Sequence, residues 1–271
     1  MTAMKSRHAN PSPDDSQSRL AVLIDADNAQ PSVIEGLLAE VAKFGVASVK
    51  RIYGDFTSTQ QSQWKKALLK HSISPVQQFA YTSGKNATDA SLIIDAMDLM
   101  YTGRFDGFAL VSSDSDFTRL AQRLREEGLT VYGFGERKTP DAFVQACDKF
   151  IYTEVLRAEA APAPVPARTP PARKAPAQKP AAPPAPAKAA PTPAPIDLLR
   201  QAIEEASDDS GWAKLGGVGN YLNKIRPDFD PRLYGHKKLS DLLRAQPAQF
   251  AVEERAAPGG SSKTVYVRAV R

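Results

Sequence analysis

Carboxylates recur at short spacings through the first half of the chain: Asp25 and Asp27 beside Asn28 in LIDADN, Asp55 in IYGDF, Asp89 in GKNATDAS, and Asp114 and Asp116 in LVSSDSDF. Gathered together, such groups repel by about 4 kcal/mol per pair at 4 Å with an effective dielectric near 20. Raised pKa values, a basic partner or a divalent cation must offset that repulsion. An all-oxygen set without histidine or thiolate suits Mg²⁺ or Mn²⁺, which can activate water and stabilise charge building on a phosphate. The chemistry predicted is metal-assisted phosphodiester hydrolysis. Ser112 and Ser113 lie beside the last pair, with no nearby histidine to complete a triad, so they are expected to orient a carboxylate or a water.

Other readings compete residue by residue. An aspartate after a strand often caps the next helix; Asp116 can cap the helix starting near Phe117, and Asp27 can be a solvated turn residue. Asp55 is intermediate. Asp95 and Asp98 read as exposed charges on the same helix as Asp89. Asp-x-Asp after a first strand also occurs in phosphotransferases of the haloacid dehalogenase type, but Asn28-Ala29 leaves that motif incomplete.

The elements that must position these groups follow from hydrophobic periodicity. Strands are predicted over Leu20–Ile24, Val46–Tyr53, Ser74–Ala80, Gly107–Val111 and Leu129–Phe134. Helices are predicted over Pro31–Phe44, Gln60–Lys70, Thr88–Met100, Ser115–Glu127 and Pro140–Cys147. A stripe of Ile93, Ala96, Met97 and Met100 puts Asp89 at a helix start above an apolar face. Strand–helix alternation specifies an α/β fold, a parallel sheet with helices on both faces. Every acidic segment then follows a strand and meets at the carboxyl rim, where ligand sites gather.

Ala158 to Pro195 is almost all alanine and proline, with Arg168, Arg173, Lys174, Lys179 and Lys188 along it. Proline removes amide donors and fixes φ, so a semi-extended spacer is expected, spanning up to about 100 Å and leaving its flanking domains semi-independent. Residues 1–18 read as a disordered lead-in, 19–157 as the α/β domain and 196–271 as a second domain. In the last, helices over Ile196–Ala206, Lys214–Ile225 and Lys237–Arg244 precede strands Phe250–Glu253 and Lys263–Val267, the outline of a winged helix-turn-helix.

The net charge of +5 is unevenly placed. Residues 19–157 carry 16 basic against 17 acidic side chains, the spacer 5 against 1, and residues 196–271 12 against 10. Attraction to polyanions therefore belongs to the spacer and the second domain. A single cysteine, Cys147, forms no intramolecular disulfide, and three scattered histidines build no Cys/His zinc site. No apolar run reaches the roughly 18–20 residues of a membrane span, and the first residues lack the apolar core of a signal peptide, so a cytoplasmic protein is expected.

Read together, LIDADN, IYGDF, GKNATDASLIIDAMDL and ALVSSDSDFTRLAQRLREEG resemble the NYN domain, a branch of the PIN-like nuclease superfamily, over residues 20–155. The resemblance implies a PIN-like parallel sheet and metal-dependent RNA cleavage. It makes Asp25, Asp89 and Asp114 metal ligands, Asn28 an orienting group and Asp116 a fourth acidic ligand or close partner, with Asp27 ranked below Asp25. The C-terminal IDLLRQAIEEAS, LGGVGNYLNKIRPDFDP and LYGHKKLSDLLRAQPAQFAVE resemble the LOTUS, or OST-HTH, domain over residues 195–270. That family implies a winged-helix module binding RNA or, in some members, proteins. Lys214, Lys224, Arg226, Arg232, His236, Lys237 and Lys238 are expected to form a discontinuous basic surface for phosphates, with Tyr221 or Tyr234 available for stacking. The competing role for Tyr221, Tyr234, Trp212 and Phe229 is to fill a small core. The leading expectation is a ribonuclease whose second domain recruits RNA; the alternative is an RNA-binding regulator or scaffold with little turnover.

Overall fold

The computed structural model describes residues 17–57, 63–79, 86–160, 192–256 and 263–270. The first domain runs β1 (Arg19–Asp25), α1 (Ile34–Val41), β2 (Val46–Gly54), α2 (Trp64–His71), β3 (Ser74–Gln77), α3 (Asn86–Tyr101), β4 (Gly107–Val111), α4 (Thr118–Glu126), β5 (Thr130–Gly135), α5 (Asp141–Ala146), β6 (Lys149–Tyr152) and α6 (Thr153–Ala160). Its six strands are all parallel, in the order β3-β2-β1-β4-β5-β6. This is the PIN-like α/β architecture. Short 3-10 turns, Pro31–Val33 and Ser115–Phe117, lead into α1 and α4.

The pleat of β1 sorts the two cores. Ala21 and Leu23 pack with Leu92, Ala96 and Leu99 of α3 and Leu120 and Leu124 of α4. Leu20, Val22 and Ile24 point to the opposite face, toward Ile34, Leu37 and Val41 of α1 and Leu156 of α6. Chain order reverses between β1 and β4, which opens a crevice at their carboxyl ends.

Several sequence expectations shift. A sixth strand, β6, joins the sheet, and β3 ends at Gln77. The Pro31–Phe44 helix begins as a 3-10 turn and its α-helical part stops at Val41. The buried stripe of α3 is Leu92, Ala96, Leu99 and Met100, with Ile93 and Met97 half-buried beside it. Asp95 is no exposed-face charge: it pairs with Arg51 and accepts a hydrogen bond from the Tyr53 hydroxyl, pinning α3 to β2, whereas Asp98 is exposed. Residues 1–16, 161–191 and 257–262, on which the lead-in, most of the spacer and the hairpin turn fall, lie outside the described residues.

The second domain comprises α7 (Ile196–Ala206), β7 (Ala213–Lys214), α8 (Leu215–Ile225), α9 (Leu239–Arg244), β8 (Phe250–Ala256) and β9 (Lys263–Ala269), the strands forming an antiparallel sheet in the order β7-β9-β8. Leu199, Ile203, Leu222, Leu242, Phe250 and Val267 fill its core. Phe229 is buried in this core with Tyr221 and Tyr234 packed half-buried against it, whereas Trp212 is buried outside that cluster.

The two domains touch along the free edge of β6. The Phe150 amide donates to the Pro227 carbonyl (2.9 Å), and the Tyr152 hydroxyl donates to Asp228 (3.1 Å). Arg232 bridges Glu40 of α1 (3.0 and 3.2 Å) and its neighbour Asp230 (2.7 Å). Among the described residues, no helix is long and apolar enough to cross a membrane.

Candidate active site

Asp25 is the last residue of β1 and only 1% exposed. Its Oδ1 accepts from the Asp27 amide (3.0 Å), and its Oδ2 accepts from Asn28 Nδ2 (2.7 Å) and Ser112 Oγ (2.8 Å). Burial pushes its pKa up against these hydrogen bonds, which favour the charged form. Asn28 and Ser112 thus hold the carboxylate at the crevice between β1 and β4.

Ser112 follows β4 and also accepts from the Asp114 amide (3.1 Å). Asp114 caps the 3-10 turn, its Oδ1 accepting from the Asp116 amide (2.9 Å). The cap at this point is therefore Asp114, and the Asp116 side chain is left exposed. Ser113 turns away, its Oγ accepting from the Glu136 amide (2.8 Å) beyond β5.

Asp89 enters from the first turn of α3. One carboxylate oxygen from each of Asp89, Asp114 and Asp116 lies within 4.8 Å of the others. Burial first, then the charges of Asp25, Asp114, Asp116 and Asp27, raise the Asp89 pKa to about 6. Among the described residues no lysine or arginine ion-pairs with Asp25, Asp89, Asp114 or Asp116. Three close carboxylates lacking an internal counter-ion form an oxygen-only donor set that fits a hard divalent cation.

The structure brings Asp89, Asp114 and Asp116 together, with the Asp25 charge acting on Asp89 and both Asp25 oxygens accepting hydrogen bonds. Asp27 is exposed above Asp25. Asp55 stays apart: its Oδ1 accepts from the Thr57 amide and hydroxyl and from Gln77 Nε2, tying the end of β2 to β3. Two glycines allow the rim to close. A Cβ on Gly54 would stand 2.8 Å from Ala26 Cβ, and one on Gly135 would stand 2.6 Å from the Ser112 carbonyl oxygen. Neither glycine, nor the Arg51–Asp95–Tyr53 contact, was anticipated from the sequence. Arg51 and Tyr53 share one face of β2 by strand alternation, which was the available signal.

In the second domain Lys214, Lys224, Lys237 and Lys238 are exposed and His236 is half-buried. Arg226 is ion-paired with Asp228 (3.1 Å), Tyr234 packs against Phe229, and Arg232 is only 14% exposed. Arg232 is thus closed off by the domain contact and Tyr234 is half-buried, whereas the Arg226 side chain stays exposed beside Asp228.

Residues 19–155 match the NYN domain model and residues 189–261 the OST-HTH/LOTUS domain model. The chain is similar to the solution structure of an uncharacterised Nitrosomonas europaea protein, at 50% identity over 35% of this chain and 91% of that one (TM-score 0.28). It is also similar to the crystal structure of a Vibrio parahaemolyticus protein of unknown function, at 21% identity over 54% and 94% (TM-score 0.41). A Chromobacterium violaceum protein segment matches at 39% identity over 27% and 77% (TM-score 0.23). No curated protein is significantly similar to the chain. NYN is a nuclease-type domain and LOTUS an RNA-binding one, and the first domain carries an acidic cluster. The chain belongs to the NYN domain family, with an OST-HTH/LOTUS domain following in the same chain.

Proposed function

We propose that the chain is a metal-dependent ribonuclease: Asp89, Asp114 and Asp116 hold Mg²⁺ or Mn²⁺, and the LOTUS domain recruits the RNA. The observation that carries this reading is the convergence of three carboxylates with which, among the described residues, no lysine or arginine pairs; burial first and then the neighbouring charges lift Asp89 to about 6. A divalent ion held there neutralises phosphate charge and makes water a stronger nucleophile at neutral pH. The protein's own groups do the positioning. Asp25 adds a buried negative charge that acts on Asp89, fixed by Asn28 and Ser112. Ser112 also holds the Asp114 amide, so the β1 and β4 ends of the site are set relative to each other by one hydroxyl.

The test is cleavage of labelled single-stranded RNA in Mn²⁺, Mg²⁺ or EDTA by wild type, Asp25→Asn and Asp114→Asn. Metal-dependent cleavage lost in both variants supports the reading. Equal cleavage by all three proteins sinks it, and RNA binding without turnover in any metal assigns the chain to the regulator class.

A further inference from the structure

Strand alternation splits the three-stranded sheet of the second domain into two faces. Ala213, Val252 and Val267 point to the core, so Trp212, Lys214, Glu253, Arg255, Tyr266 and Arg268 lie on the other face. Four of these side chains stack on one another. The Arg255 guanidinium lies over both Tyr266 (4.7 Å to the ring centre) and Trp212 (4.5 Å), and the Arg268 guanidinium also lies over Trp212 at 4.9 Å. Arg255 is also paired with Glu253 (3.1 Å), and its charge reaches Asp208. Arg268 is exposed, with no carboxylate at ion-pair distance among the described residues.

We propose that this sheet face, with the exposed Arg268 on it, is the surface on which the domain takes single-stranded RNA. The inference rests on the recruitment reading above and names the surface for it. A guanidinium stacked on an indole keeps its N–H edge for phosphate oxygens, and its open plane can accept a base. The stack has already restricted a long side chain, so less conformational freedom remains to be lost on binding. Lys214, paired in register with Tyr266, stands on the same face and adds a cation beside two guanidiniums stacked on two aromatic rings. That is the charge and shape complement of a strand carrying alternate phosphates and planar bases. Among the described residues neither Lys237 nor Lys238 lies over an aromatic ring.

Fluorescence anisotropy with labelled oligouridylate and the full-length protein in EDTA tests this. Arg268→Ala and Arg268→Lys should each weaken binding about tenfold, in line with the loss of one stacking contact. The double change Lys237→Ala with Lys238→Ala should cost less, and all melting temperatures should stay at the wild-type value. If Arg268→Lys binds like wild type, bare charge suffices and the stacking surface is refuted. Larger losses from the lysine pair, or displacement of the RNA by polyaspartate of equal charge, also overturn it. A wild type that binds no RNA instead overturns the recruitment reading itself.

Discussion

Carboxylates crowd together at two places in this protein, with opposite outcomes. At the domain contact, Glu40 and Asp230 are buried, which alone would raise their pKa values. Hydrogen bonds and charge from Arg232, with Lys43 also beside Glu40, outweigh burial and hold both carboxyls below their usual range. At the β1/β4 crevice burial acts on Asp89 in the same direction, but the neighbours there are Asp25, Asp114, Asp116 and Asp27, and its pKa climbs to about 6. Carboxyls are held below their usual range where the fold supplies a cation, and Asp89 is pushed above it where, among the described residues, no lysine or arginine pairs with the cluster. A fold keeps an uncompensated acidic cluster at a cost in stability, which makes sense when solution supplies the counter-charge.

The comparison breaks most sharply by exchanging consequences between the two places. Asp89→Asn should lower metal-dependent RNA cleavage by at least about 100-fold, measured by initial rates at saturating Mn²⁺. Arg232→Ala should leave the chemistry of the rim intact but strand Asp230 and leave Glu40 with Lys43 alone, a loss on the order of 3 kcal/mol if the domains stay docked. If they separate instead, small-angle scattering should show a larger radius of gyration. Cleavage lost in Arg232→Ala but kept in Asp89→Asn would invert the account.

Gly135→Ala sharpens the comparison by disturbing the rim without altering charge. The new methyl meets the Ser112 carbonyl, so the β4–β5 edge must shift, at a cost of about 1–3 kcal/mol in denaturant unfolding. An unchanged midpoint would show that the rim yields freely.

The smallest effect is in pH. Asp89 titrates near 3.8 when unfolded and about 6 when folded, so between those values the folded chain holds a proton that the unfolded chain has lost. Its contribution to metal-free stability is full below about pH 4 and is lost as pH rises through 6. Metal-free Asp89→Asn should therefore melt above wild type at pH 8 and lose that advantage at pH 4. An equal difference at both pH values would remove electrostatics as the cause.

Much of this is legible in the sequence. Strand ends placed Asp25 and Asp114 on one rim because a parallel sheet leaves no other place for them, and a helix start placed Asp89 beside them. The elements missed were β6, four residues long, and β7, two, both too short to carry a period, and the eight-residue α6, which runs into the alanine- and proline-rich stretch. The errors in role were long-range. Asp95 reads as a surface charge along its own helix, and its partners Arg51 and Tyr53 come from a strand some forty residues earlier in the chain. Arg232 reads as a phosphate ligand because its partner Glu40 lies 192 residues away. The Ala/Pro spacer predicted semi-independent domains, and composition held no signal for the β6 edge contact that joins them.

The central claim, that the rim carboxylates take a divalent cation, is met most directly by calorimetric titration of Mn²⁺ into the full-length protein at pH 7.5, comparing wild type, Asp114→Asn and Arg232→Ala. The account predicts Mn²⁺ binding by wild type and Arg232→Ala that disappears in Asp114→Asn. No binding by wild type, or undiminished binding by Asp114→Asn, would contradict it.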